Sequence, residues 1–197
     1  MHRVVVIAFV AVVACSSLAS AESPEWLVSQ NAARIADTRS GMSILAGWAG
    51  VNLVAGLAAS FATTGSWQAF HRMNAGWNVV NLAIAGFGLW SAAGQDPSTM
   101  TLVESLEAAT GLERVLWLNV GLDVGYVVLG GWLWERGART ASSMLEGFGQ
   151  SIVLQGAFLF AFDVAMSVMA RGHVSKLVPK LAPLAEGTWG LVWAFAT

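Results

Sequence analysis

Four stretches of the chain are nearly free of charge: residues 41–62, 73–93, 115–134 and 148–170. A hydrocarbon layer of about 30 Å needs about 20 apolar residues in helical form, and each stretch meets that length without a proline. The pattern predicts four membrane-spanning helices. The breaks at 63–72, 94–114 and 135–146 are short and polar. Short links make neighbouring helices antiparallel, so the prediction is an all-α, integral membrane, up-down four-helix bundle over residues 41–173.

The flanks carry different signals. Behind His2 and Arg3 runs an apolar segment from Val4 to Ala14, followed by the small-x-small pattern Ala19-Ser20-Ala21. This is the layout of a cleaved export signal over residues 1–21. A competing reading takes Val12-Val13-Ala14-Cys15 as a lipoprotein box, with the cysteine lipidated. Either route implies a bacterial export pathway and an exported N-terminus. Residues 22–40 read as an amphipathic segment whose Trp26, Leu27 and Ile35 rest on the membrane surface. Residues 95–113 read as a short helix, capped by Ser98 or Thr99, with Glu104 and Glu107 on its acidic face. Residues 174–197 read as an interfacial tail, because the apolar stretch at 188–197 is too short to span.

Composition narrows the class. The chain is 56% hydrophobic and 11% charged over 197 residues, with a mean hydropathy of +0.62. A soluble domain carries about 25% charged residues, so a soluble enzyme is excluded. Cys15 is the sole cysteine, which excludes a disulfide framework and, after cleavage, all thiol chemistry. A net charge of −2 gives no reason to expect a nucleic-acid partner. Trp67, Trp90, Trp132 and Trp134 fall at span ends, where indoles sit at the lipid–water boundary. Gly121 with Gly125, Ala46 with Gly50, and Ala55 with Ala59 are small-residue pairs that would admit close helix approach. The export signal puts Arg72, Arg136 and Arg139 inside, against the preference of the positive-inside rule. The cleavage motif is the more specific of the two signals and is given precedence. The expected location is a bacterial membrane, the inner rather than the outer.

The polar residues inside the spans are not scattered. Helical steps of about 100° put His71, Asn74, Asn78 and Asn81 within an arc of about 80°. Asn119, Asp123 and Tyr126 share an arc of about 60°. Gln155 and Asp163 lie about 80° apart on the fourth span, and Asn52 is the strongly polar side chain of the first. Four polar stripes turned inward predict a polar seam through the bundle. Buried polar groups in lipid need partners, and the seam has two readings. Amides can join helices by hydrogen bonds, with a protonated Asp taking part. Alternatively, Asp123 and Asp163 bind protons or a cation. No HxxxH or CxxC spacing occurs, and His71 and His173 map to opposite ends. No metal, haem or other cofactor is therefore expected. No Ser–His–Asp set is plausible either, and the chain is not expected to be an enzyme.

Three strings carry a resemblance. They are the run from His71 to Gly86, the run from Asn119 to Tyr126 followed by Glu135-Arg136-Gly137, and the run from Gly147 to Asp163. They are similar to the second, third and fourth spans of an uncharacterised bacterial family of small four-span membrane proteins, over roughly residues 42–173. That resemblance implies the fold and assigns no activity. The expected function is a structural or accessory subunit of a membrane assembly. Its partners would be membrane lipids and either a second copy or a larger complex. Two alternatives remain open: a small proton- or ion-coupled transporter using Asp123 and Asp163, and a lipid- or quinone-binding protein lined by Trp77, Phe158, Phe160 and the amides.

Overall fold

The computed structural model describes residues 23–180. The expected export signal, Cys15 and the apolar stretch at 188–197 lie outside the described residues. Within them the chain forms four long helices: α1 (Glu25–Ala62), α2 (Gly65–Ala93), α3 (Leu102–Thr140) and α4 (Ser143–Leu177), then a 3-10 turn, Val178–Lys180.

The breaks are set by local chemistry. Pro24 precedes α1, and its carbonyl accepts from the N–H groups of Leu27 (2.8 Å) and Val28 (3.1 Å). Thr63 and Thr64 are extended, and Gly65 takes a left-handed φ of 62°, which turns the chain sharply into α2. The start of α3 is a capping box: the Thr101 hydroxyl accepts from Glu104 N–H at 3.3 Å, and Thr101 N–H donates to Glu104 Oε2 at 2.8 Å. At the next link Ala141 adopts a left-handed φ of 51°, a conformation that an alanine adopts at a steric cost.

Two expectations change here. Residues 25–40 and 102–113 are not separate surface segments; they are the first turns of α1 and α3, residues 95–101 belong to the link before α3, and the cap is Thr101 rather than Ser98 or Thr99. Leu27 and Ile35 are buried rather than turned to a membrane surface. Leu27 packs with Ala109 and Leu177, which ties α1, α3 and α4 together at one end. A helix of 38 residues is about 57 Å long, so α1 overshoots a hydrocarbon layer of about 30 Å. The same end carries the start of α3 and the end of α4, and together these turns form the head of the molecule.

The helices line up in the spatial order α1, α2, α4, α3. The consecutive pair α2 and α3 do not pack along each other; the rings of Trp77 and Tyr126 meet edge to face across them at 4.9 Å. Glycines explain the order, since they allow backbones to approach where a side chain would clash. A Cβ on Gly130 of α3 would fall 2.8 Å from Val153 N and 2.9 Å from Gly149 O of α4. Gly149 and Gly156 press α4 onto α3, while Gly147 presses its other side onto α2 at Ser66 and Phe70. The pair predicted from spacing, Gly121 and Gly125, faces open space within the chain, as does Gly50.

Polar side chains are buried alongside apolar ones, and large apolar side chains lie outside. The largest fully buried side chains include Gln155, Asn31 and Asn78, whereas Phe61 is 88% exposed and Trp90 73%. Among the described residues, α1, α3 and Ser143–Lys180 are long and apolar enough to cross a membrane. Helix α2 is not, although residues 73–93 read as a span. Asn74, Asn78 and Asn81 lower its mean hydropathy, and all three are buried against neighbouring helices.

Candidate functional site

The asparagines of α2 sit at spacings of four and three, so they rise along one face. That face meets α1 and α4, and the amides close a ring. Gln155 Nε2 donates to Asn74 Oδ1 at 2.5 Å. Asn81 Nδ2 donates to Gln155 Oε1 (3.4 Å) and Asn78 Oδ1 (3.3 Å). Asn78 Nδ2 donates to Asn74 Oδ1 (3.5 Å) and to Asn74 O (2.8 Å). Helix α1 joins from outside the ring. Trp48 Nε1–H donates to Gln155 Oε1 at 3.0 Å, Asn74 Nδ2 donates to Asn52 Oδ1 at 3.0 Å, and Asn52 Nδ2 donates to Trp48 O at 2.9 Å. The Trp48 ring stacks on Phe158, centroids 3.9 Å apart and 5° from parallel. Asn74, Asn78, Asn81 and Gln155 are all buried, and Asn52 is half-buried.

A second polar cluster lies between α3 and α4. Asp123 of α3 and Asp163 of α4 are both buried, at 2% and 5% exposure. The Ser167 hydroxyl does not join them; it donates to its own helix at Asp163 O, 2.6 Å away. Asp123 Oδ2 is buried with no hydrogen-bond partner. Toward the head the apolar Leu116, Met166 and Ala170 close the interface. Among the described residues no hydrogen bond joins this pair to the amide ring, so the predicted seam is two clusters.

The remaining sequence candidates stand apart from both clusters. His71 is half-buried between the rings of Trp67 and Phe70, with no side-chain hydrogen bond among the described residues. Tyr126 packs on Trp77 and beneath Gly156. Trp77, Phe158 and Phe160 do not converge on one cavity: Phe158 lies on Trp48 and Phe160 is 40% exposed. Among the described residues no group of three or more His, Cys, Asp and Glu side chains is placed to hold a metal ion.

The head holds polar groups that sequence reasoning passed over. His173 Nε2 lies 2.8 Å from Asp37 Oδ2, with the imidazole buried. Arg34, 5% exposed, donates to Gln95 Oε1 at 2.9 Å, and burial lowers its pKa. Arg39 donates to Ala92 O at 3.0 Å, which places a cation at the negative end of the α2 dipole. The partners in these three contacts are 136, 61 and 53 residues apart, a separation that helical periodicity does not reach.

No curated protein and no solved structure matches the chain. A family model matches residues 44–164, a stretch that holds both polar clusters and leaves Arg34 and His173 outside it; the chain belongs to this family of unknown function, DUF6992.

Proposed function

We propose that the protein is a four-span integral membrane protein that acts as a structural or accessory subunit of a membrane assembly. The observation that carries this reading is the closed amide ring, in which Asn74, Asn78, Asn81 and Gln155 hydrogen-bond to one another across α2 and α4. Such a network favours one register of three helices over its alternatives. Helix α2 is the fourth span in this reading. Its asparagines are covered by α1 and α4, and it offers Val79, Val80, Ile84 and Phe87 to lipid, each more than half exposed. Other membrane helices, from a second copy or a larger complex, are the partners. The inner membrane and an exported N-terminus follow from residues 1–21. Native gel migration of detergent extracts tests the assembly. A species above the monomer that is lost in Gln155→Leu supports the reading, and a monomer unaffected by that change sinks it.

A second reading, a proton- or ion-coupled carrier, is favoured by one observation: the unpartnered, buried Asp123 Oδ2. Flux of protons or monovalent cations into liposomes, abolished by Asp123→Asn, is its test.

A further inference from the structure

We infer that the recess at the C-terminal end of α2 is a phospholipid site, in which Arg39 holds the lipid phosphate and the outer stripe of α2 takes an acyl chain. The site rests on the reading of α2 as the fourth span and adds the chemistry of the lipid that this helix meets.

The four helices share a level at the base of the head. Met166 of α4 fills the space over Gly41 of α1, and Met42 of α1 fills the space over Gly88 of α2. Leu116 of α3 packs with Met166 and Ala170. Just above these contacts stand Arg39, Arg114 and Arg171, one each on α1, α3 and α4, within about 5 Å of one another in height. All three are exposed. Among the described residues none of them pairs with a carboxylate, whereas Arg139 at the other end pairs with Glu135. The acids nearby are Glu113 and Asp37, and Asp37 is taken by His173. Directly below the arginines, Ile44, Val115 and Val168 are exposed and apolar. Unpaired guanidiniums set over apolar helix faces match the level of lipid phosphates.

Helix α2 carries no arginine at this level. It ends instead in a recess of about 510 Å³ lined by Trp90, Ser91, Ala93, Gly94 and Gln95. Arg39 serves this end. Its Nη2 donates to the carbonyl of Ala92, which lies in the chain between two of the lining residues. The cation offsets the negative end of the helix dipole, which would otherwise repel a phosphate. A guanidinium has five N–H donors, so the bond to Ala92 leaves others free for a phosphate, whose oxygens fit the fork. Asp96, the next acid along the chain, is turned to Ser98, which donates to its Oδ1 from both backbone and hydroxyl.

Below the recess, Val80, Ile84, Phe87 and Trp90 recur at steps of four, three and three, so they form one stripe. Each is more than half exposed, and the rings of Phe87 and Trp90 meet at 5.7 Å. The stripe runs for about 15 Å, half of a hydrocarbon layer of about 30 Å and so the depth of one leaflet. A partner helix would cover the stripe and leave the recess and its guanidinium unanswered. A phospholipid fits both.

Native mass spectrometry of the full-length protein in detergent, titrated with phosphatidylglycerol, reads the site. The wild-type chain is expected to bind one such lipid about tenfold more tightly than diacylglycerol with the same chains, the effect of one charge-assisted contact. Excess inorganic phosphate should not displace it. Arg39→Gln should remove that tenfold preference. Ala93→Trp, which fills the recess and leaves Arg39 on Ala92, should remove it too, and it carries the test alone if Arg39→Gln fails to fold. Arg136→Gln, at the other end of the bundle, should change nothing. Equal binding of the two lipids by the wild-type chain overturns the inference, as does a preference that survives Ala93→Trp. Displacement by inorganic phosphate also overturns it, since the site then takes a free anion. A chain that crosses the bilayer four times and prefers neither lipid sinks the lipid site and leaves the fourth span standing.

Discussion

Gln155 is the residue on which the amide ring turns, because its two side-chain atoms meet three different partners. Replacing it with leucine leaves the Trp48 N–H and one lone pair of Asn74 unanswered. A buried group left unsatisfied costs about 1–3 kcal/mol, so Gln155→Leu should lower stability by that order in a denaturing-detergent titration. Asn52→Ala removes a half-buried contact at the edge of the ring and should cost less, about 0.6 kcal/mol. The arcs of Asn74, Asn78 and Asn81 were legible in the sequence, since a helical period of 3.6 decides which side chains share a face. The partner of each amide was not, because period says nothing of the angle at which one helix meets another. His71 shows the limit: it lies in the same arc, yet its ring is taken up by Trp67 and Phe70. Outside the predicted spans, Glu104 supplies a pH-dependent prediction. Its hydrogen bonds from Thr101 hold its carboxylate below the usual pKa. A depressed folded-state pKa stabilises above the unfolded value and loses that contribution as pH falls through the folded one. Amides at the start of α3 should therefore lose protection, relative to their intrinsic exchange rates, as pH falls, and Thr101→Ala should abolish that loss.

At the scale of elements, glycine contacts decide which helices pair. A Cβ at Gly130 meets the backbone of α4, and overpacking of this kind costs about 1–3 kcal/mol. Gly130→Ala should therefore destabilise the protein by that order, while Gly121→Ala, with open space around it, should leave thermal stability unchanged in detergent. The outcome reverses what the spacing of Gly121 and Gly125 suggests. Small-xxx-small spacing marks a possible approach, but only the rotation of the helix decides which glycines meet a neighbour. Ala141 offers the opposite test: its left-handed φ suits glycine. Ala141→Gly should raise the unfolding free energy by about 1 kcal/mol. Four helices, three of them apolar enough to span, were readable from hydropathy. The full lengths of α1, α3 and α4 were not, because their outer turns are polar enough to resemble loops and are stabilised only by one another, as at Leu27, Ala109 and Leu177.

Over the whole molecule, the helix ends sort into two sets. Glu25, the 94–101 link and Lys180 lie at the head, and the links at 63–64 and 141–142 lie at the other end, where a Cβ added to Gly65 would fall 3.9 Å from Ser143 Oγ. In a bilayer these ends face opposite compartments if α2 spans. Glu107→Cys and Arg139→Cys, both at exposed sites, should then react with an impermeant maleimide from opposite sides of sealed vesicles. Labelling of both from one side would refute four crossings. Position in the lineup also assigns α4 a special burden. It touches α2 through Gly147 and Gln155, and α3 through Gly149, Gly156 and Met166. The amide ring and Asp163 share no bond, yet they are mounted on one rod. A rotation of that rod large enough to turn Asp163 out of its buried position must also drag Gln155 past its asparagines, so disturbance at either place is transmitted mechanically to the other.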